Sequence, residues 1–328
     1  MTISSTERLN YFYQQFVHDD RVLIVINADP DAIACSMAIK RLLWRKVSMV
    51  IISNINTVHR PDNIAMIRLL SVHLVHVDEI DRLQFNRIVL VDSQPDHHES
   101  FTSFKPDVII DHHPKTDAIA PFQDIRPQYG ATATIMTEYL RAAKIKPSTK
   151  LATGLFHAIK TDTSNFERQT LIEDIRAFQF LFKHANVHLA RKIEQADLEI
   201  NFLKYFKIAL QDMQMRKNRI FVHLNQVRNP DICVLIADFF MRVHSVNWSI
   251  VSGINNSKLI VILRNDGLRK DAGKVAKQSF GQAGRAGGHK SMARAEMPVS
   301  ELKKIINPNE DKKLVRWIIH QIEKSAKK

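Results

Sequence analysis

The sequence predicts an α/β protein, with a mostly parallel sheet flanked by helices in its N-terminal part and a smaller C-terminal α/β domain across a cleft. The first observation is a set of uninterrupted apolar, β-rich runs, which are typical of strands buried on both faces of a parallel sheet. The second is that helical patterns lie between and after these runs. The third is that strand-like runs begin again near residue 220.

Each N-terminal element follows from its local pattern. Continuous apolar runs predict strands over residues 22–26, 47–52, 88–91 and 108–110. Helical periodicity predicts helices over residues 31–44, 63–70, 130–143, 149–160 and 171–184. A further long helix over residues 188–217 is predicted to carry the chain to a second domain.

The C-terminal elements are read in the same way. Strands are predicted over residues 220–224, 248–252 and 259–263, with a hairpin connection over 253–257. A helix over residues 270–279 is followed by a glycine-rich loop, and an amphipathic helix is predicted over 312–324. The expected organisation is therefore a first domain over residues 1–187, a linker helix over 188–217 and a second domain over 218–328.

Charge and glycine are unevenly distributed. The formal net charge is +13, yet residues 1–185 hold 21 basic and 21 acidic residues, so the whole excess lies further along the chain. Seven of the nine glycines fall between Gly253 and Gly288. A hydrophobic fraction of 45% excludes disorder, and no run approaches the roughly 18 uncharged apolar residues of a membrane span. Two cysteines and the lack of a signal-peptide pattern predict a cytoplasmic protein.

Carboxylates recur where the predicted sheet would present them. Asp29 and Asp31 follow the first strand, Asp92 and Asp111 end two later strands, and Asp162 follows a helix. Ligands bind outside the carboxyl ends of strands in open parallel sheets, and carboxylates gathered there repel one another unless cations neutralise them. Any one of these aspartates is also typical of a helix N-cap or a turn. Together with the imidazoles of His112 and His113, the set favours a shared site for Mn²⁺ or a similar divalent ion.

This constellation resembles the DHH phosphoesterase superfamily over most of the chain. Residues 27–33 look like its first motif, 91–93 like its second and 161–166 like its fourth, and residues 111–114 carry the Asp-His-His-Pro of its third. Arg264 and the segment Gly287-Gly288-His289 resemble the motifs of the associated C-terminal domain. Within the family, the resemblance is to the branch of oligoribonucleases and bisphosphorylated-nucleotide phosphatases.

The resemblance implies a role for each matching residue. One metal ion should be bound by Asp29 and Asp92, and the other by Asp31, Asp92, His112 and Asp162. With Asp92 bridging them, two Mn²⁺ ions would generate a hydroxide and clamp the phosphate. His113 should be the catalytic donor or charge stabiliser beside the leaving oxygen. Substrate binding is implied for Arg264, Gly287, Gly288 and His289.

Two features depart from the family pattern. Val25 lies four residues before Asp29, where the family has a metal-binding histidine, and valine cannot ligate. Asn27 should face the same side of the strand and offers only an amide oxygen. The number of bound Mn²⁺ ions, one or two, is therefore left open. A second Asp-His-His, at residues 96–98, is interpreted as a loop whose histidines could reach the entrance of the cleft.

The predicted function is metal-dependent hydrolysis of short oligoribonucleotides, dinucleotides or 3′,5′-bisphosphorylated adenosine. The alternative is a degenerate, non-catalytic nucleotide-binding or regulatory protein, for which Val25 is the main support. General nucleic-acid binding is weaker, because the basic residues are dispersed and aromatic residues do not interleave with them. The expected partner is the short nucleotide, no membrane contact is expected, and a homodimer is left open.

Overall fold

The computed structural model describes residues 3–167, 170–196, 200–306 and 310–326. The chain divides into two units, Met1–Asp197 and Leu198–Lys328. Each unit has its own six-stranded sheet with helices packed against it, so the predicted α/β class is confirmed. In the part of the chain that the structure describes, no helix is both long enough and apolar enough to cross a membrane.

The first unit alternates strands and helices. Its strands are β1 (Arg21–Ile26), β2 (Met49–Asn54), β3 (Val75–His76), β4 (Arg87–Val91), β5 (Val108–Asp111) and β6 (Phe122–Ile125). Its α-helices are α1 (Ser5–Tyr13), α2 (Pro30–Leu42), α3 (Pro61–Leu70), α4 (Thr132–Ala142), α5 (Thr149–Asp162), α6 (Ile172–Phe182) and α7 (Val187–Glu194). Short 3₁₀ turns lie at Val77–Glu79, Arg82–Gln84, Pro95–His97 and Glu99–Phe101.

The sheet of the first unit is parallel throughout, in the order β3-β2-β1-β4-β5-β6. The chain builds outward from β1 through β2 to β3 and then returns to the other side of β1 with β4. The order therefore reverses between β1 and β4. Loops leaving the two strands at such a switch point diverge, which opens a crevice at the carboxyl ends of the strands.

Both faces of this sheet are covered. Val22, Ile24 and Ile26 alternate with Leu23 and Val25 along β1, and the two sets belong to different apolar clusters. The larger cluster includes residues of α2, α4 and α5, and the smaller one includes phenylalanines from the loop after β4. Alternate side chains of a strand point to opposite faces, so a continuous apolar run is what a sheet covered on both faces requires.

The second unit holds a mixed sheet. Its strands are β7 (Gln214–Arg216), β8 (Arg219–Gln226), β9 (Trp248–Asn255), β10 (Lys258–Asn265), β11 (Arg285–Gly288) and β12 (Met292–Pro298). Its helices are α8 (Leu203–Asp212), α9 (Asp231–Phe240), α10 (Ala272–Phe280), α11 (Val299–Leu302) and α12 (Asp311–Ala326). The sheet order is β11-β12-β10-β9-β8-β7, in which β8 and β9 are parallel and the other pairs antiparallel. Apolar clusters cover both faces, with α10 and α12 on one and α8 and α9 on the other.

Two predicted elements are wrong. Residues 188–217 do not form one helix, because α7 ends at Glu194 and α8 and β7 follow as separate elements. The reason is that Ala190 and Ile193 pack into the core of the first unit, whereas Tyr205 and Ala209 pack into a core of the second. Two apolar stretches that belong to different cores are not held in one straight helix.

The predicted glycine-rich loop is also different in the structure. Residues 285–288 form the edge strand β11, which pairs with β12. Gly288 allows β11 to approach β12 this closely, because a Cβ on Gly288 would lie 2.3 Å from the carbonyl oxygen of Met292. Gly288 also has a φ of +149°, which L side chains rarely adopt. Glycine here serves close strand pairing and not only a turn.

Candidate functional site

The chemistry-bearing residues of the first unit meet where β1, β4 and β5 end. Asp92 follows β4 directly, and its backbone N–H donates to the carbonyl of Ile110 in β5 at 2.9 Å. Asp111 is the last residue of β5. Asp31 lies in the first turn of α2, which leaves β1. These positions lie at the carboxyl ends of the strands, where the carboxylate pattern predicted them, and the structure adds that this edge includes the switch point between β1 and β4.

Asp31 is buried completely and is held by the start of another helix. Its two oxygens accept the backbone N–H groups of Thr132 at 2.7 Å and Ala133 at 2.9 Å. Because α4 has no side-chain cap of its own, Asp31 supplies the negative charge that a helix N-terminus favours. Cys35 donates a further, longer hydrogen bond of 3.4 Å. Burial and the charge of Asp162 nevertheless raise the pKa of Asp31 well above its usual range.

Asp92 is nearly as buried and shares the same helix. The hydroxyl of Thr132 donates to Asp92 Oδ1 at 2.7 Å, and Asp92 adopts a left-handed φ of +59° that turns the chain out of the sheet. Burial and the charges of Asp31 and Asp29 raise its pKa well above the usual range. This cluster of carboxylates is therefore short of positive charge, and a bound cation would relieve the repulsion.

His112 has the orientation of a metal-binding imidazole. Its Nδ1 lies 3.1 Å from the carbonyl oxygen of Tyr129, which can only accept, so Nδ1 carries the proton. Its Nε2 lies 3.3 Å from Asp162 Oδ2 and 3.7 Å from Asp92 Oδ1. Burial alone would lower its pKa, but the hydrogen bond to Asp162 and the charges of Asp162 and Asp31 raise it to about 10.

His113 is oriented by Asp111. The buried Oδ1 of Asp111 lies 2.8 Å from His113 Nδ1, and it also accepts the backbone N–H groups of His112 at 2.8 Å and His113 at 3.2 Å. Burial would raise the pKa of Asp111, but the hydrogen bond and charge of His113 lower it overall. An ionised Asp111 accepts a hydrogen bond from the Nδ1–H of His113, so the proton of the neutral ring is on Nδ1 and Nε2 carries the lone pair.

The donor atoms fit a divalent ion. Among the described residues, three groups bring one ligand atom from each member within 4.8 Å of one another: Asp31, His112 and Asp162; Asp92, His112 and His113; and His97, Asp111 and His113. The first two groups share His112, and together they contain all four residues predicted for the second metal ion. Carboxylate oxygens with imidazole nitrogen are the ligands that suit Mn²⁺, Zn²⁺ and similar ions.

The residues predicted for the other metal ion are placed differently. Asp29 is the N-cap of α2 and accepts the backbone N–H of Ala32 at 2.9 Å. Burial and the charge of Asp162 raise its pKa to about 6, but it belongs to none of the three described groups. Val25 is 0% exposed within an apolar cluster, and Asn27 is exposed. The assignment of Asp29 as a ligand stays a prediction.

The predicted substrate-binding residues meet within the second unit. Arg264 pairs with Met292 across the β10–β12 ladder, and His289 donates its backbone N–H to the Met292 carbonyl at 2.7 Å. A Cβ on Gly287 would meet no atom within 4 Å, so the space beside this residue is open. Arg264 is engaged by Asp238, with 2.7 Å between Nε and Oδ1. Substrate binding by Arg264, Gly287, Gly288 and His289 stays a prediction.

Sequence reasoning missed the residues that hold the predicted ones in place. Gln94 is 0% exposed, donates to Asp111 Oδ2 at 2.6 Å and to the Pro114 carbonyl at 3.1 Å, and accepts the Thr116 N–H at 2.8 Å. No local pattern distinguishes it from an ordinary loop glutamine. For the start of α4 the sequence did contain a signal, the glycine at position 130 just before the helix. A side chain is not tolerated there, because a Cβ on Gly130 would lie 2.6 Å from Thr163 Cγ2.

Fold and site together define an α/β protein with a cluster of carboxylates and imidazoles that could hold a metal ion, at the carboxyl ends of the strands of a parallel sheet. Residues 21–159, which lie within the first unit, match the N-terminal domain of the DHH family. The family predicted from the motifs is thereby confirmed, while the assignment of the second unit to the family's associated C-terminal domain stays a prediction.

Known proteins resemble this chain over most of its length. An uncharacterised protein of Methanocaldococcus jannaschii is 32% identical over 299 residues, which are 91% of this chain. This chain spans 62% of the length of that protein. The structure of an exopolyphosphatase-related protein from Bacteroides fragilis superposes with a TM-score of 0.75 at 15% identity, covering 99% of this chain and 98% of the other. A pGpG-specific phosphodiesterase from Vibrio cholerae superposes with a TM-score of 0.44 at 12% identity, covering 92% of this chain and 100% of the other.

Proposed function

We propose that this chain is a metal-dependent hydrolase of phosphate ester bonds in short nucleotides. The observation that carries the proposal is the gathering of three carboxylates near the ring of His112. Its Nε2 lies 3.3 Å from Asp162 Oδ2 and 3.7 Å from Asp92 Oδ1, and Asp31 forms a candidate ligand group with His112 and Asp162. Nothing in the packing of an α/β core requires three buried or half-buried carboxylates and an imidazole to converge, whereas binding a divalent cation does. The proposed cofactor is Mn²⁺.

Four side chains would hold the ion: Asp31, Asp92, His112 and Asp162. A bound divalent cation supplies Lewis acidity towards water and towards a phosphoryl oxygen. The protein contributes the geometry. The Tyr129 carbonyl fixes the ring of His112, and the hydroxyl of Thr132 and the N-terminus of α4 fix Asp92 and Asp31. Such supporting contacts keep ligands oriented and reduce reorganisation during the reaction.

His113 would act on the leaving oxygen. Because the Nδ1–H of His113 donates a hydrogen bond to Asp111, the ring exchanges a proton with the substrate at Nε2. The same contact holds the ring in one orientation, since the buried Asp111 Oδ1 accepts from its Nδ1–H. We assign binding of the substrate's phosphate to Arg264, Gly287, Gly288 and His289, where open space beside Gly287 leaves the backbone accessible.

The proposed substrates are short oligoribonucleotides, dinucleotides and 3′,5′-bisphosphorylated adenosine. The test incubates purified protein and Mn²⁺ with a labelled dinucleotide. We expect release of mononucleotides. The control is the double variant Asp111→Ala, His112→Ala, and no release by the wild-type protein above this control would refute hydrolysis of this substrate class.

The position of Val25 favours a second candidate, a non-catalytic nucleotide-binding protein. Its side chain packs among carbon atoms and adds no ligand to the site. Counting bound Mn²⁺ separates the candidates: two ions per chain favour the enzyme, one is compatible with both, and none in a folded sample favours the binder. For an enzyme that has lost one ligand, we expect Val25→His to bind Mn²⁺ more tightly. Unchanged affinity would show that position 25 does not face the site.

A further inference from the structure

We propose that His97, from the second Asp-His-His segment, donates a hydrogen bond from Nε2 to the phosphate group on which His113 acts. The proposal rests on the proposed function and adds a substrate-contacting residue that lies outside the matched motifs. It follows from where the ring lies, which ring nitrogen carries the proton and how the segment is anchored.

The ring of His97 lies beside the ring of His113. Their centroids are 5.3 Å apart and their planes are inclined by 72°. One ring nitrogen of His97 lies within 4.8 Å of a ligand atom of His113 and of a carboxylate oxygen of Asp111. His97 is exposed and His113 is half-buried, so His97 is the solvent-side neighbour of the proposed proton donor. A phosphate in contact with His113 is therefore within reach of His97.

Hydrogen bonding determines the tautomer of His97. Its Nδ1 accepts the backbone N–H of Gln94 at 3.2 Å and lies 3.4 Å from the hydroxyl of Ser93. A backbone N–H can only donate, so Nδ1 presents its lone pair and the proton of the neutral ring is on Nε2. Nε2–H is thus a donor without any change of protonation state, which suits an anionic phosphoryl oxygen.

The segment that carries His97 is anchored on the site. His97 ends the 3₁₀ turn Pro95–His97, which begins immediately after Gln94. The buried side chain of Gln94 bridges Asp111 and the loop residues Pro114 and Thr116. The two histidine-bearing segments are therefore tied together by hydrogen bonds, and a donor held in place contributes more to binding than one on a mobile loop.

A metal ion between His97, Asp111 and His113 is the competing interpretation. Oδ1 of Asp111 already accepts three N–H groups, from the backbones of His112 and His113 and from the His113 ring. Its Oδ2 accepts the amide of Gln94. A carboxylate with its lone pairs occupied in this way needs no cation, and His113 Nδ1 is itself a donor. The geometry therefore favours hydrogen bonding by His97 over metal binding.

His98 provides a matched control. It is exposed like His97, and its Nδ1 also accepts a backbone N–H from a short turn, that of Ser100 at 3.1 Å. Its ring lies against Phe101, with 6.3 Å between centroids, and not against His113. In both histidines Nδ1 therefore accepts a backbone N–H of a short turn. The difference is that the ring of His97 lies beside His113, whereas the ring of His98 lies beside Phe101.

Two substitutions separate the two ring nitrogens of His97. His97→Asn retains an oxygen where Nδ1 accepts from Gln94 and removes the Nε2 donor. His97→Gln extends an amide NH₂ to the place of Nε2 and so retains the donor. A purely structural role in the turn would be rescued by asparagine, whereas a role in phosphate binding would be rescued by glutamine.

The experiment measures the affinity of the Mn²⁺-loaded full chain for adenosine 5′-monophosphate by calorimetry, with the Mn²⁺ affinity measured separately. We expect His97→Asn to weaken nucleotide binding about tenfold, the scale of one hydrogen bond to a charged group. His97→Gln should stay within about threefold of wild type, and His98→Asn and all Mn²⁺ affinities should be unchanged. Equal losses in both His97 variants, no loss in His97→Asn, a lowered Mn²⁺ affinity, or no nucleotide binding by the wild type would each overturn the proposal.

Hydrolysis of the labelled dinucleotide by the same variants distinguishes this proposal from the proposed function. If the wild type binds adenosine 5′-monophosphate through His97 but hydrolyses nothing, the proposed hydrolysis fails and the assignment of His97 stands. If the wild type hydrolyses the dinucleotide and His97→Asn has wild-type KM and kcat, the assignment of His97 fails and the function stands.

Discussion

The tripeptide Asp-His-His occurs twice in this chain, and the two copies differ in burial and in the secondary structure that holds them. At residues 111–113 the aspartate ends a central parallel strand, is 0% exposed and accepts four hydrogen bonds. At residues 96–98 the aspartate and both histidines are exposed and lie in and beside a 3₁₀ turn. The strand that precedes the tripeptide, and not the tripeptide itself, creates a site.

Burial explains why the strand end matters. A carboxylate taken out of water must find compensating donors, and at the end of β5 the following backbone N–H groups and Gln94 supply them. Asp111 therefore has a defined orientation, and its hydrogen bond with Nδ1 of His113 orients that ring in turn. Asp96 remains in water, which solvates it without orienting it.

The largest effect should come from His112, the first histidine of the buried Asp-His-His, and it should appear in the affinity for Mn²⁺. His112→Ala removes the imidazole that belongs to two of the ligand groups. We expect the Mn²⁺ affinity, measured by calorimetry, to fall by at least about 100-fold, since losing a ligand should cost no less than losing a residue that supports one. His98→Ala is the control from the other copy. Equal Mn²⁺ affinities in the two variants would contradict the assigned site.

The next largest effect should be the difference in kcat between variants of the two aspartates, Asp111 and Asp96. Asp111→Asn keeps the shape but removes the charge that orients His113 Nδ1–H, so we expect kcat at saturating Mn²⁺ to fall about 10- to 100-fold. Asp96→Asn should leave kcat within about twofold. A comparable loss in both variants would mean that the buried copy has no special role in the reaction.

A smaller effect, on the free energy of unfolding, is expected from Gln94, which links the segments that carry the two Asp-His-His copies. Gln94→Ala leaves the buried Oδ2 of Asp111 and the N–H of Thr116 without their partner, which should lower the free energy of unfolding by about 1–3 kcal/mol. Denaturant unfolding measures this. Gln179→Ala, at an exposed position of α6, should change it by less than about 0.5 kcal/mol. Equal stability of the two variants would show that the bridge of Gln94 contributes nothing.

The smallest change is expected at the histidine that faces away. His98→Ala loses the acceptor for Ser100 N–H, an exposed hydrogen bond, and a ring contact with Phe101. We expect the free energy of unfolding to fall by about 1 kcal/mol or less and the rate of hydrolysis to be unchanged. A marked loss of hydrolysis here would place the second copy in the reaction through a residue that the structure directs elsewhere.

Much of the first unit was predictable because its strands are continuous apolar runs. The predicted strand over 22–26 differs from β1 by one residue, and that over 108–110 from β5 by one. β6 was missed because Phe122–Ile125 is short and has two polar residues between its two apolar ones, which is neither a continuous apolar run nor an alternating pattern. α9 was missed because Asp231–Phe240 is apolar on nearly every side, so no helical face stands out from the pattern.

The candidate site was predictable as far as it depends on residue type and on the ends of elements. Asp92, Asp111 and Asp162 lie at or directly beside the ends of a strand or helix that the pattern predicts. Gln94 and Thr132 carry no such mark, because their importance comes from what they contact. Thr132 contacts Asp31 and Asp92 at sequence separations of 101 and 40 residues.

The α/β class, the acids at strand ends and an Asp-His-His among motifs in the order of the DHH family all follow from the amino-acid sequence alone. Apolar periodicity and residue chemistry depend on a few neighbouring residues, so they can be recognised directly in the sequence. The three-dimensional fold was needed to establish which Asp-His-His is buried and that Val25 lies within an apolar cluster. It was also needed to establish that Asp31 caps α4 and that the ring of His97 lies beside that of His113. These outcomes depend on the order of strands in the sheet, which brings distant segments together and which no local pattern encodes.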